Sequence, residues 1–225
     1  RKVCLPKSML SATFKMTGRF FCWLPLPVGL AIGRFLGWVL YFLDYKHKSL
    51  AFANIKKAFA DEKSPAELRS ITRGAFQNYG MNLVEFFRFP KFDRDTLADY
   101  VPLEGVEHVH QALRQNKGVV FLAAHLGNWE LGSRGVSLQD FPYKVLVNDL
   151  SQESELNSVI HAYREAKSDD VVVRSVSGTR QILRALKNNS VLAIMLDQGG
   201  KEGRQMPFLG RPTSLSDGGL RIAYK

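Results

Sequence analysis

Hydrophobic residues along this chain follow three patterns. Near the start, Trp23 to Leu43 runs for 21 residues with a single charge, Arg34. That approaches the ~20 apolar residues needed to cross a bilayer. Helical spacing comes next. Leu50–Phe59 reads as an amphipathic helix fragment, and Ile71, Ala75, Tyr79, Leu83 and Phe86-Phe87 mark a longer helix. Ser64-Pro65-Ala66-Glu67 opens that helix with an N-cap, a proline at the first position and a glutamate three residues on, and Pro90 ends it. The third pattern is a short unbroken apolar run. Val119–Ala124, Tyr143–Val147, Val171–Val173 and Val191–Leu196 read as buried strands, with Val119–Ala124 as the central one.

Helical stretches alternate with these strands. Val106–Gln115 precedes the first, a helix begins near Trp129, and Ser151–Lys167 and Ser177–Lys187 follow. The alternation predicts an α/β fold, a mostly parallel sheet flanked by helices. Val101–Gly105 reads as a short strand or turn, Lys201–Pro212 as a basic, Gly-rich loop, and residues 214–225 as the start of a last helix. Two regions result: an N-terminal basic and membrane-associated helical segment, 1–63, and an α/β domain, 64–225. The chain opens on Arg1 and stops at Lys225 inside an apparent helix, so it reads as a fragment.

The apolar run has three readings: a transmembrane anchor, a helix lying in the membrane interface, and a soluble core helix. Pro25 and Pro27 stand at or before its start, and Gly29, Gly33 and Gly37 give two overlapping G-x-x-x-G spacings that suit close helix contact. Arg34 at its middle argues against a simple lipid-exposed span. Basic residues on both sides, including Lys7, Lys15, Lys46 and Lys48, favour an anionic lipid surface. No small-residue cleavage site follows the run.

Composition narrows the partners more than the fold. A formal charge of +10 on 225 residues favours acidic partners: anionic headgroups, an acidic carrier protein or nucleic acid. No nucleic-acid reader motif is present. Cys4 and Cys22 form neither a disulfide framework nor a zinc spacing, and read as small apolar fillers. His108 and His110 alternate at a helix start without a third ligand nearby, so no metal is expected.

The candidate chemistry lies in Gly118–Leu131, GVVFLAAHLGNWEL. His125 follows the first strand directly, at the edge where open α/β sheets bind ligands. Asn128 caps the next helix, which places Glu130 in its first turn. A carboxylate can fix the tautomer of such an imidazole while the other ring nitrogen takes a proton from a hydroxyl. By the same pattern His125, Asn148, Arg174 and Asp197 all fall at equivalent strand ends.

AAHLGNWELG resembles the active-site block of the bacterial lipid A biosynthesis acyltransferases, the lauroyl/myristoyl transferases, within the wider group of H-x-x-x-x-D/E glycerolipid acyltransferases. The likeness runs from about Trp23 to Lys225, and includes Asp197-Gln198 and Pro207-Phe208-Leu209-Gly210. It implies a catalytic His125 oriented by Glu130, with Arg164 on a downstream helix contacting the oxyanion or a phosphate. Asn128 and Asp197 are further site candidates. It also implies an acyl-acyl carrier protein or acyl-CoA donor as co-substrate, a Kdo-bearing lipid A precursor as acceptor, and no bound cofactor or metal. The expected place is the cytoplasmic face of the bacterial inner membrane, on an anionic surface, without nucleic acid. Alternatives are an acyltransferase for another glycolipid or a lysophospholipid, a basic binding module, and a catalytically idle membrane scaffold.

Overall fold

The computed structural model describes residues 7–59, 62–147, 170–173, 175–199 and 203–224. Among them the chain groups into two units. One comprises residues up to Thr17, Pro90–Arg204 and Ser214 onward; the other comprises Gly18–Phe89 and Gln205–Thr213.

The second unit is mainly helical. It holds the end of α1 (Lys7–Trp23), α2 (Leu26–Leu43), α3 (Tyr45–Phe59) and α4 (Pro65–Phe87). Pro25 is the N-cap of α2, and the proline after it, Pro27, sits in the first turn. There its missing N–H is no loss and its ring presets the backbone. The capping box of α4 forms as its sequence requires: Ser64 Oγ accepts from the Glu67 N–H at 3.3 Å, and the Glu67 carboxylate accepts from the Ser64 N–H at 2.8 Å. α4 runs antiparallel to α2, with Val84 beside Gly29, Gly80 beside Gly33 and Phe76 beside Gly37. The G-x-x-x-G spacing is therefore a seam between two helices of the same chain. Arg88, just past α4, donates to the carbonyls of Phe21 and Leu24 and so satisfies the open end of α1. Cys22 is half-buried and its thiol points at the Phe87 carbonyl, 3.6 Å away. Cys4 lies outside the described residues.

The first unit carries the sheet. Its strands β1 (Val119–Ala123), β2 (Tyr143–Val147), β3 (Asp170–Val173) and β4 (Val191–Met195) are all parallel, in the order β1-β4-β2-β3. The α/β architecture and all four strands stand where the apolar runs put them. The place of β1 differs: among the described strands it is an edge strand, pairing only with β4. The interior strand is β4, whose Val191 and Leu192 are fully buried. β4 shows why an unbroken apolar run is needed there. Val191 and Ala193 join Tyr143 in one core with Val109, Leu113, Phe121 and Val136 around it. Leu192 and Ile194 join Val172 and Ile182 in another, on the opposite face. The helices supplying these faces are α6 (Val106–Leu113) and α7 (Trp129–Ser137) for the first, and α8 (Val176–Lys187) and α9 (Gly218–Ala223) for the second. α5 (Arg94–Tyr100) also belongs to this unit.

Three local expectations give way. α1 extends back to Lys7, a stretch that reads as merely basic in the sequence. Val101–Gly105 forms no strand. The basic loop is a hairpin instead, β5 (Arg204–Phe208) with β6 (Arg211–Leu215). The helix expected over Ser151–Lys167 lies outside the described residues, as do Asn148, Arg164, Arg174 and Lys201.

Candidate active site

β1 and β4 are adjacent and parallel, in a register that sets Ala123 beside Met195. Two residues further along each strand stand His125 and Asp197. The register therefore brings together two residues that are 72 apart in sequence. The strand ladder persists to the Leu196 N–H, which donates to the Ala123 carbonyl at 3.0 Å. One step on, the Asp197 side chain takes over. Its Oδ2 accepts from the backbone N–H of His125 at 2.7 Å, and its Oδ1 lies 2.8 Å from His125 Nδ1.

That double contact defines the imidazole. A carboxylate only accepts, so Nδ1 carries the proton and donates it, leaving the lone pair on Nε2. The amide nitrogen of Gln198 lies 3.5 Å from Nε2, at the outer limit of a hydrogen bond and with the polarity a lone pair requires. The Trp129 ring meets the imidazole edge to face at 5.1 Å and covers one side of it. The pair is partly open to solvent, His125 with 27% of its side chain exposed and Asp197 with 24%. Partial burial pushes the Asp197 carboxyl up, but the hydrogen bonds from the His125 ring and backbone outweigh it, and the carboxyl sits below its ordinary value of 3.8. Asp197 is thus an anion at neutral pH.

The turn between His125 and α7 is built for this exit. Gly127 adopts a left-handed backbone, φ 61°, which glycine enters without steric cost. Asn128 caps α7 by accepting from the Leu131 N–H at 3.1 Å. Glu130 stands, half-buried, in the first turn of α7, as the spacing predicts. The carboxylate at Nδ1 of the imidazole is that of Asp197. The parallel register explains that contact: Asp197 lies across from His125, two residues beyond the Ala123–Met195 pair of β1 and β4. Leu122 and Leu126, three residues before and one after His125 in the chain, are exposed, Leu126 at 85%.

Gln198 at Nε2 and Trp129 over the ring are contacts that sequence spacing did not assign. Arg164, the expected cation of the site, is outside the described residues. Among the described residues no three of His, Cys, Asp or Glu cluster to hold a metal ion. His110 meets the ring of Phe141 edge-on at 5.5 Å.

This geometry can deprotonate a hydroxyl at Nε2 and stabilise the imidazolium formed. Comparison with known proteins supplies a family. The model of the bacterial lipid A biosynthesis acyltransferases matches residues 3–225. A phosphatidylinositol mannoside acyltransferase of Mycobacterium tuberculosis is 26% identical over 158 residues, 67% of this chain and 49% of the relative. The lipid A biosynthesis palmitoleoyltransferase of Escherichia coli is 26% identical over 187 residues, 82% of this chain and 60% of the relative. The lipid A biosynthesis lauroyltransferase of the same bacterium is 26% identical over 117 residues, 52% of this chain and 38% of the relative. The chain spans about half the length of the mycobacterial relatives.

Proposed function

The chain belongs to the bacterial lipid A biosynthesis acyltransferase family, and from that membership we propose that it transfers a fatty acyl group from an acyl thioester to a hydroxyl of a lipid A precursor. The donor in this reading is acyl-acyl carrier protein, with acyl-CoA as the simpler substitute. The observation that carries the mechanism is the double contact of Asp197 on His125.

Nε2 of His125 takes the proton of the acceptor hydroxyl as its oxygen attacks the thioester carbonyl. Asp197 holds the imidazolium that results. The tetrahedral intermediate collapses, the carbon–sulfur bond breaks, and the thiolate leaves with the proton that His125 returns. An ester and a free thiol are the products and no oxidation state changes, so the step as written calls for no redox cofactor. Arg164, by the family likeness, neutralises the oxyanion or a phosphate of the acceptor. Glu130 acts from the first turn of α7 as a second carboxylate of the site, and Asn128 sets the start of that helix. The exposed side chains of Leu122 and Leu126 suit contact with an acyl chain.

The chain's net charge of +10 suits both an acidic carrier protein and an anionic headgroup. An acyl thioester donor and a membrane lipid acceptor suit a protein working at the cytoplasmic face of the bacterial inner membrane. A second acceptor has support: the mycobacterial relatives act, by their names, on phosphatidylinositol mannoside. One preparation of the intact protein, given a radiolabelled acyl thioester with each acceptor in turn, separates the two. Acylation of the lipid A precursor alone supports the first reading; acylation of the mannoside alone replaces it with the second.

A further inference from the structure

We propose that the helical unit docks on an anionic bilayer with α2 lying in the plane of the surface, so that α2 does not cross the membrane. The reading takes a membrane lipid as its occupant from the function proposed above. Its test, however, reads depth rather than turnover.

α2 has the length and composition of a span, 18 residues at a mean hydropathy of 1.7. Its two faces differ sharply in what they touch. Gly29, Gly33 and Gly37 are buried against α4. A Cβ on Gly33 would stand 2.6 Å from the Gly80 carbonyl oxygen and 2.8 Å from Val84 Cγ2, so the two backbones are in contact. Half a turn away, Val28, Ala31, Phe35, Trp38 and Phe42 recur every three or four residues. They form one stripe about 21 Å long at 1.5 Å per residue. It is open: Val28 is 46% exposed, Phe35 59%, Trp38 40% and Phe42 56%. Phe35 stacks on Trp38 with centroids 5.9 Å apart, and Trp38 meets Phe42 edge-on at 5.0 Å. An exposed apolar stripe of this kind, aromatic from Phe35 to Phe42, marks an interaction surface.

Charge identifies the occupant. α2 holds no acidic residue, and Arg34 is exposed on its flank, a quarter-turn from the glycines, where its stem can lie along lipid and its head in water. α3, which follows directly, carries four lysines and no acidic residue. Lys48 stands over the rings of Tyr41 and Tyr45 at 5.2 and 5.6 Å, so base and aromatic meet where α2 passes into α3, and Asp44, the acid at that junction, is paired with His47 at 2.6 Å. Aromatic stripe plus lysine bank is the pattern of a helix at an anionic headgroup layer.

The seam with α4 excludes the spanning alternative. A crossing α2 would carry α4 with it, because nothing separates the backbones. Antiparallel pairing puts Gln77 and Asn78 level with the middle of α2 and Arg73 level with its last turns. Asn78, Arg73 and Arg34 are all exposed, and each would enter hydrocarbon unpaid. Lying flat, α2 sinks its stripe and leaves α4 on the water side.

The test places one nitroxide at a time on Val28→Cys and Phe42→Cys in the intact protein, with Cys4→Ser and Cys22→Ser. Depth is read by oxygen and nickel-complex relaxation on vesicles of phosphatidylethanolamine and phosphatidylglycerol. The expected result is two shallow, equal depths, about 5–10 Å below the headgroups, lost when phosphatidylcholine replaces phosphatidylglycerol or when Phe35→Asp is added. Depths at opposite leaflets overturn the proposal in favour of a span. Labels that stay in water, or that are shielded only in a dimer seen by light scattering, overturn it in favour of no lipid contact or of a second copy. Level labels on a protein without acyl transfer would retain this proposal and remove the proposed function.

Discussion

Replacing Asp197 by asparagine changes one atom type at the centre of the site, and its consequence can be worked from the geometry. Wild-type Asp197 offers two acceptor oxygens, one 2.7 Å from the His125 N–H and one 2.8 Å from Nδ1. Asparagine has one acceptor. If it keeps the backbone N–H, its amide NH2 faces Nδ1, which must then accept. The ring proton moves to Nε2, and that nitrogen can no longer take a proton from a hydroxyl. The whole general-base contribution is at stake, roughly 10²–10⁴ in kcat, so we expect a loss on the order of 10³, or about 4 kcal/mol of barrier. KM should change little, since neither atom touches substrate in this account. Stability should fall by about 1–2 kcal/mol, less than two buried charge-assisted bonds would cost, because the pair is partly solvated. The pH dependence has a definite sign. The folded carboxyl lies below its ordinary 3.8, so its stabilisation is complete above that value and fades as the pH falls through the lower folded one. Asp197→Asn should lack that acid-side loss. The assay is thiol release from an acyl thioester with a glycolipid acceptor, beside thermal melts from pH 2 to pH 7, a range on the order of that over which carboxyls titrate. A variant that melts cooperatively and turns over at the wild-type rate would refute the tautomer argument.

Three further perturbations test the supports of the site and the fold. Gly33→Val places a branched side chain where a Cβ alone would be 2.6 Å from the Gly80 carbonyl. Thermal denaturation should show a loss of about 1–3 kcal/mol from overpacking. Asn128→Ala removes the acceptor for the Leu131 N–H and should cost about 1 kcal/mol by the same measurement, with Asn128→Ser restoring most of it. Glu130→Gln keeps the shape of the side chain and removes its charge, and it should lower kcat in the same thiol-release assay while the protein still melts cooperatively.

The strands were legible in sequence because burial on both faces demands unbroken apolar runs, and Val191–Met195 meets that demand completely. The α4 start was legible because capping chemistry is local: Ser64, Pro65 and Glu67 carry it within four positions. What escaped was non-local or atypical. Strand order is a property of pairing, so Val119–Ala123 gives no sign that it lies at the edge of the described sheet. The Asp197 contact depends on the β1/β4 register, and a motif read by spacing directs attention to Glu130, five residues away, rather than to a residue 72 away. The β5–β6 hairpin escaped because Pro207 and Pro212 interrupt any strand pattern. Its turn also uses Leu209 and Gly210 at φ 49° and 72°, where asparagine or glycine is the usual signal at the first position. The N-terminal helix escaped because basic and apolar residues intermix over Lys7–Trp23. Lys7 and Lys15 suit an anionic surface whether or not the backbone is helical.

The central claim is that His125, held by Asp197, is the base that activates an acceptor hydroxyl. Its most direct test is single-turnover acyl transfer by purified His125→Ala beside the wild type, with folding of both checked by circular dichroism. The account predicts a folded variant that still binds the acyl thioester but forms ester at least about 10³ times more slowly. Ester formation at the wild-type rate by the folded variant would contradict it.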